Sequence, residues 1–306
     1  MILPSYSPAC RFTGSDKNNC YLFLPLVLYI LKIFKELTWM KLLLPFIVFI
    51  TFGCGTLKIK TPVRSSGMTG SEFYETAAAY QWQQRDSLVV KEILSGNIPS
   101  FLKKFVCIEV GLKDSVSGKK YKAHFFAAPD YLSVGTDHDW ARINITPYAA
   151  QVIADSLNCF LPTRKMVDDI YKAAKIKLEP VPLYAFRDST PTMYHHHLLI
   201  EGQRKGRKGL IAGIKKDVVL SGRISHDKKA DRVAIYGWHK MNGNPIQPLY
   251  TGHAYWWVDY SQGIRLVYRK IRVNGKWMDY TEMLKDLLLQ RLICDEEYCD
   301  FNKYRF

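Results

Sequence analysis

A nearly uninterrupted apolar segment ends at Cys54, and this break divides the chain into two parts with different folding rules. Between Tyr21 and Gly53 the residues are mainly aliphatic and aromatic, whereas the sequence after Cys54 is mixed and charged. Within this segment, the eleven residues Leu42–Phe52 follow the basic Lys41. A bilayer core requires about 20 apolar residues, so a run of this length is typical of a secretory signal peptide rather than a membrane span.

The residues around the break match a known processing signal. Thr51-Phe52-Gly53-Cys54 resembles the lipobox of bacterial lipoproteins, in which a small residue precedes a cysteine that is acylated before cleavage. Phe52 departs from the small or aliphatic residue usual at its position. The resemblance implies a mature protein that begins at Cys54, carries acyl chains such as palmitate, and is anchored to a membrane of the cell envelope.

The alternative is a transmembrane helix. A single span over 22–50 would bury Lys35, Glu36 and Lys41 in the bilayer, which is costly. We therefore predict four segments. Residues 1–39 are an over-long start or an unstructured leader, 40–53 a lipoprotein signal peptide, 54–70 a flexible tether rich in small polar residues, and 71–306 one globular domain.

Charge narrows the choice of partners. The chain has a net charge of +15, and +12 remains beyond residue 53. A basic excess favours anionic partners, but no zinc-finger, helix-turn-helix or aromatic RNA-binding signature occurs. For an exported protein the sequence favours peptidoglycan or an anionic glycan over nucleic acid; a basic surface that is merely solvated is the alternative.

Hydrophobic periodicity and turn signals predict the fold class. We expect an α+β domain with N-terminal helices and a mostly antiparallel C-terminal sheet. The predicted features are a helix over 71–94, a hairpin joining strands at 104–112 and 119–127, helices capped by Thr146 and Thr163, a hairpin turn at Asn274-Gly275, and a terminal helix over 281–292.

Cys159 is the candidate nucleophile. It lies in a loop shortly before the helix that Thr163 caps, with two basic residues nearby. Helix N-termini and cations lower the pKa of a thiol, and a nucleophilic cysteine also needs a histidine base, for which His239 and His253 are candidates. The alternative is a buried structural cysteine, because cysteine is among the most buried residue types.

The order of these features resembles NlpC/P60-type papain-like peptidoglycan amidases. A cysteine leads into a helix, and strand-like runs at 216–220 and 232–237 follow. Arg232 stands where that family has its catalytic histidine. The resemblance implies a cysteine-type cell-wall amidase or peptidase, here with Cys159 as nucleophile, His253 as base and Asp259 orienting the base.

A second segment is similar to a different family. Residues 259–266, Asp-Tyr-Ser-Gln-Gly-Ile-Arg-Leu, with His253 upstream, resemble the Ser-His-Gly-Cys-Ile-Arg segment of L,D-transpeptidases. Gln262 replaces the histidine, and the catalytic cysteine is missing. The acyl-transfer chemistry of that family therefore does not carry over.

Aromatic and hydrogen-bonding residues alternate between 236 and 265. This mixture is typical of a saccharide-binding cleft, because sugar faces stack on rings while hydroxyl groups need polar partners. The alternative is a sheet whose rings form the core and whose polar residues face water. The predicted substrate-binding residues are Trp238, His239, Gln247, Tyr260 and Arg265.

The remaining cysteines and histidines leave a disulfide and a metal-dependent hydrolase as alternatives. Cys294 and Cys299 are close enough in sequence to form a disulfide, and no cysteine pair has zinc spacing. We expect no metal and no cofactor, although His239, His253 and Asp259 would be the ligands of a metal-dependent hydrolase. The leading hypothesis is an envelope hydrolase, and the second is a non-catalytic surface lipoprotein that binds an envelope polymer.

Overall fold

A computed structural model describes residues 55–64, 67–227, 229 and 231–305. The fold is α+β, as predicted, and residues 54–306 form one compact unit. The predicted leader, the signal peptide and Cys54 itself lie outside the described residues. Within the described ranges, no helix is both long and apolar enough to cross a membrane.

The helices begin where the sequence offers side-chain caps. Thr146 accepts a hydrogen bond from the backbone N–H of Ala149, and Thr163 accepts one from that of Met166, as both predicted caps require. The helices are α1 (Gly70–Thr76), α2 (Trp82–Leu94), α3 (Pro147–Ser156), α4 (Arg164–Ala173), α5 (Thr190–Arg204), α6 (Gly222–His226) and α7 (Tyr280–Lys285).

Two helix predictions need correction. The helix expected over 71–94 is interrupted after Thr76, where Ala77 ends α1, and it resumes at Trp82. The terminal helix expected over 281–292 ends at Lys285, and a short 3₁₀ turn follows at Leu289–Leu292. In both cases the helical spacing of apolar residues in the sequence continues past the residue at which the helix ends.

Most strands belong to two main sheets, and β4 with β5 and β7 with β8 form two further pairs. The strands are β1 (Thr56–Lys58), β2 (Lys104–Lys113), β3 (Lys120–Ala127), β4 (Ser133–Gly135), β5 (Trp140–Arg142), β6 (Cys159–Phe160), β7 (Ile176–Lys177), β8 (Ile211–Ala212), β9 (Lys216–Val219), β10 (Arg232–His239), β11 (Pro245–Ala254), β12 (Gln262–Gly263), β13 (Val267–Tyr268), β14 (Lys270–Val273) and β15 (Lys276–Asp279). The larger sheet has the order β1-β2-β3-β13-β6, with β14 also paired to β3 and to β15.

The smaller sheet has the order β11-β10-β9-β12. Its pairs are antiparallel except β12 with β9, which is parallel. The predicted hairpins are confirmed: β2 pairs with β3, and β14 pairs with β15. Asn274 and Gly275 connect β14 to β15 with φ angles of 46° and 87°, as a two-residue hairpin turn requires.

The expected flexible tether over 54–70 is wrong for residues 56–60. Thr56–Lys58 forms β1, an edge strand that pairs with the start of β2. Ile59 is buried in the core, and its backbone N–H donates to the carbonyl of Lys103. The folded domain therefore begins almost immediately after Cys54 in the sequence.

Candidate functional site

The loop over residues 255–261, which joins β11 to β12, is held at its end by Asn144. The side-chain Nδ2 of Asn144 lies within hydrogen-bond distance of the carbonyl oxygens of Asp259 (3.0 Å) and Tyr260 (3.1 Å) and of that of Gln262, the first residue of β12 (2.5 Å), so its two N–H groups are shared among three acceptors. The ammonium of Lys215, which is buried, also donates to the Tyr260 carbonyl. These contacts fix the loop against residues that precede α3 and β9.

A second loop, residues 181–189, is joined to this one. The backbone N–H of Tyr260 donates to the carbonyl of Arg187 at 2.9 Å, and the Tyr260 hydroxyl accepts a hydrogen bond from the N–H of Leu183 at 2.6 Å. The two loops therefore hold each other in place. Phe186, in the second loop, has φ +47°, a strained conformation for a residue other than glycine.

Four ionisable side chains meet where the two loops and β9 converge. The guanidinium of Arg187 donates to Asp259 Oδ2 at 2.6 Å, and Lys216 Nζ lies 3.9 Å from the same oxygen. The charges of these three groups act on the imidazole of His253, on β11, and contribute to the shift of its pKa. We call Arg187, Lys216, His253 and Asp259 the Asp259 cluster.

The electrostatics of the Asp259 cluster follow from its burial. Although burial opposes ionisation of Asp259, Lys216, the hydrogen bonds from Ser261 and the charge of Arg187 lower the pKa of its carboxyl. Burial lowers the pKa of Lys216, and the neighbouring Arg187 lowers it further. Burial also lowers the pKa of His253, with Lys216 and Arg187 adding to the effect. The charge of Asp259 opposes this shift, but the pKa of His253 still lies below its ordinary value.

Aromatic rings border the Asp259 cluster. The His253 ring packs edge-on against Tyr250, with centroids 5.1 Å apart, and lies near Trp257 at 6.3 Å; Trp257 in turn contacts Trp256. Tyr250 and Trp256 are 44% and 47% exposed, so part of each ring is accessible to a ligand. On the second loop, Tyr184 and Phe186 project into solvent.

The predicted nucleophile lies elsewhere and is not activated. Cys159 is buried on β6 within the main hydrophobic core, and its thiol donates to the carbonyl of Leu157 at 3.3 Å. Burial raises the pKa of this thiol, which is the opposite of what a nucleophile needs. The assignment of Cys159 as catalytic residue is therefore wrong; chain position next to a helix did not reveal that the thiol points into the core.

The predicted pair His253 and Asp259 does come together, but without the predicted geometry. Asp259 Oδ1 accepts hydrogen bonds from the N–H and the hydroxyl of Ser261 at 2.9 and 2.6 Å, while Oδ2 accepts from Arg187. Among the described residues, no hydrogen bond joins the carboxylate to His253. Asp259 therefore positions Arg187 rather than the imidazole.

Three of the five predicted substrate-binding residues, and also His239, are in the interior. Tyr260 and Trp238 are buried, and their rings meet edge-on at 6.3 Å. Arg265 is 1% exposed and donates to the carbonyls of Ala128 and Ile211, both at 2.8 Å. These residues stabilise the domain and cannot touch a ligand, because alternation in sequence does not distinguish an inner aromatic face from an open one.

The other two predicted binding residues also lie outside the Asp259 cluster. His239 is buried, stacks on Tyr171 with centroids 4.5 Å apart, and its Nε2 is 2.9 Å from Asp168 Oδ1. Gln247 lies half-buried on β11 and donates to the carbonyl of Pro248. In the described ranges no group of three histidine, cysteine, aspartate or glutamate side chains is close enough to hold a metal ion.

Sequence reasoning missed the two cations of the cluster. Arg187 is 72 residues from Asp259 in the chain, in a loop without regular periodicity. Lys216 has a detectable signal, because Lys215-Lys216-Asp217 lies between apolar residues at the start of β9, a strand that is buried throughout. Consecutive charges in such a strand indicate a polar site rather than a solvated turn.

A groove of about 770 Å³ lies between α2 and α3. Trp82, Tyr148 and Tyr255 contribute its rings, and Tyr255 precedes Trp256 directly in the chain. Burial raises the pKa of Asp86, which lines this groove, to about 6, although hydrogen bonds from Thr146 oppose the shift. The groove is thus a concave surface with aromatic and carboxylic groups, separate from the Asp259 cluster.

No family model, curated protein or solved structure matches this chain. The function is therefore argued from the chemistry of the site.

The hydrogen bonds by which Asn144 clamps the first loop can be tested by an isosteric substitution. Asn144→Asp replaces the donating amide with a carboxylate that repels three carbonyl oxygens, so we expect the free energy of unfolding to fall by about 3 kcal/mol or more. Asn242→Asp is the control, because Asn242 is exposed and uses only its acceptor oxygen. Equal stability of the two variants in urea titrations would contradict the clamp.

The charge environment of His253 predicts its titration. Because burial and two nearby cations disfavour the imidazolium, the NMR midpoint of His253 should lie below the ordinary value of about 6.5. Lys216→Gln removes one cation and should move the midpoint upward, whereas Lys104→Gln, on the larger sheet, should leave it unchanged. An unchanged midpoint of His253 in the Lys216→Gln variant would show that the charge of Lys216 does not act on His253.

Proposed function

We propose that this protein is an exported, lipid-anchored envelope protein that binds an anionic envelope polymer, such as peptidoglycan, at the Asp259 cluster. The observation that carries the proposal is Arg187, a guanidinium that is 45% exposed yet held in position by a buried carboxylate. A cation fixed in this way at the surface presents a defined geometry to an anionic ligand.

Arg187 has hydrogen-bond donors that its contact with Asp259 does not use. A guanidinium carries five N–H donors, and the side chain of Arg187 uses one nitrogen, Nη2, for its hydrogen bond to Asp259. The remaining donors are available to a carboxylate or phosphate, which arginine binds through two parallel hydrogen bonds. Lys216 adds a second positive charge beside it.

The surrounding rings suit the saccharide part of such a polymer. Tyr250 and Trp256 are half exposed, and sugar faces stack on exposed rings of this kind. A polymer that alternates sugar rings with carboxylates would engage the rings and the cations together. The net charge of +12 beyond residue 53 favours the approach of such a ligand.

Binding is a better-supported function than cysteine-dependent hydrolysis. Hydrolysis through Cys159 would require an accessible thiol close to a histidine, and this thiol lies in the core. Cys159→Ala should therefore leave polymer binding intact, because the cysteine takes no part in the surface that we propose.

Binding to isolated peptidoglycan tests the proposal. Arg187→Gln removes the bidentate donor, and Trp256→Ala removes an exposed ring; we expect each to weaken binding about tenfold or more in a sedimentation assay. The matched controls are Arg164→Gln, which also removes a partly exposed arginine paired to an aspartate, and Trp277→Ala, which removes a half-exposed ring on β15.

Two outcomes would contradict polymer binding at this place. The first is unchanged affinity in both Arg187→Gln and Trp256→Ala, with circular dichroism confirming that each variant is folded. The second is an equal loss of affinity in the two controls, which would indicate that binding responds to overall charge and aromatic content rather than to the Asp259 cluster.

Mass spectrometry of membrane-extracted protein tests the lipid anchor. We expect an N-terminal peptide that begins at Cys54 and carries acyl chains, and Cys54→Ala should remain unprocessed. An intact terminus at Met1 or Met40 would contradict acylation.

A further inference from the structure

The N-terminal edge of the larger sheet carries three exposed lysines on one side. Lys58 on β1 is the register partner of Lys104 on β2. Lys60 follows Lys58 by two residues, and the two flank Ile59, which is buried, so both side chains point away from the core. We call Lys58, Lys60 and Lys104 the edge lysines.

The edge lysines are not neutralised within the domain. Among the described residues, none of the three has an ion pair, a side-chain hydrogen bond or a ring contact, although other surface lysines such as Lys122 and Lys165 pair with carboxylates. Like charges opposite each other on neighbouring strands destabilise a sheet. This edge therefore carries a positive charge that no carboxylate among the described residues neutralises.

The position of the edge lysines indicates what they contact. β1 begins at Thr56, two residues after Cys54, and two residues span at most about 7 Å. No long tether separates the start of the fold from the cysteine at which we propose the acyl chains. An anchor at Cys54 would bring this edge of the sheet to the surface of the bilayer.

We propose that the edge lysines bind the anionic lipid headgroups of the membrane that carries the protein. This inference rests on the proposed anchor for its location, whereas the charge and register of the lysines are properties of the described fold. Each lysine near an anionic bilayer strengthens binding about fivefold, so three together contribute about 100-fold. The basic edge adds an electrostatic contact to the anchor that the acyl chains at Cys54 would supply.

This attachment would also orient the domain. β2 runs from Lys104 to Lys113, and at about 3.3 Å per residue its two ends lie about 30 Å apart. With Lys104 at the membrane, the hairpin that joins β2 to β3 points away from it. The far end carries Lys113, Lys119 and Lys120, which are also exposed and provide a matched set of control residues.

Vesicle sedimentation tests the proposal without acyl chains. The polypeptide 54–306, which is a compact unit, is prepared with Cys54→Ser and mixed with phosphatidylcholine vesicles that contain or lack phosphatidylglycerol. We expect binding only to the anionic vesicles. Replacing all three edge lysines by glutamine should weaken it about 100-fold, replacing them by arginine should preserve it, and glutamine at the three far-end lysines should leave it nearly unchanged.

The outcomes separate this inference from the proposed anchor and ligand. Equal loss in the two glutamine triples, or equal binding to neutral and anionic vesicles, would overturn the headgroup contact even if Cys54 is acylated. Conversely, selective loss in the edge triple supports the contact even if mass spectrometry finds no acyl chain. Thermal melting of every variant confirms folding, and unchanged peptidoglycan binding by the edge triple shows that the Asp259 cluster is intact.

Discussion

The side-chain amide of Asn144 is the contact on which the candidate site depends. Its two N–H groups are shared among three carbonyls, two in the loop over 255–261 and one in β12, so the backbone there cannot move without losing several hydrogen bonds together. The loop leads into β12, which pairs in parallel with β9 and completes the smaller sheet. The same contact therefore joins the segment before α3 to the sheet and fixes Asp259, and Asp259 in turn fixes Arg187.

Burying the two consecutive lysines, Lys215 and Lys216, costs free energy because each charge is removed from water. Lys215, which directly precedes β9, binds the Tyr260 carbonyl, and Lys216, the first residue of β9, lies beside the Asp259 carboxylate. Burial, with a contribution from Arg142, lowers the pKa of Lys215 to about 7, which records the cost of removing its charge from water. A domain built only for stability has little reason to bury such groups, whereas a rigid ligand site requires them.

Local features could be predicted from the sequence, and long-range features could not. The caps at Thr146 and Thr163 and the turn at Asn274-Gly275 depend on a few adjacent residues, so their patterns were sufficient. The proximity of His253 and Asp259 was also predicted, because they are six residues apart. By contrast, β1 pairs with a strand almost 50 residues away, and Arg187 meets Asp259 across 72 residues; neither contact leaves a local pattern, and burial of Cys159 depends on tertiary packing.

The two basic surfaces hold their cations in different ways, and this difference matches two kinds of ligand. Arg187 and Lys216 share a buried carboxylate, so their positions are fixed and part of their charge is already balanced. Such a site gains from a ligand that fits its geometry, and the buried Lys216–Asp259 pair is weakly screened by salt. The edge lysines are exposed and unpaired, so they act as mobile point charges whose attraction is screened beyond about 8 Å at physiological ionic strength. Mobile charges suit a fluid, dense array of headgroups that lies at contact distance, whereas fixed charges suit a polymer with a repeating covalent structure.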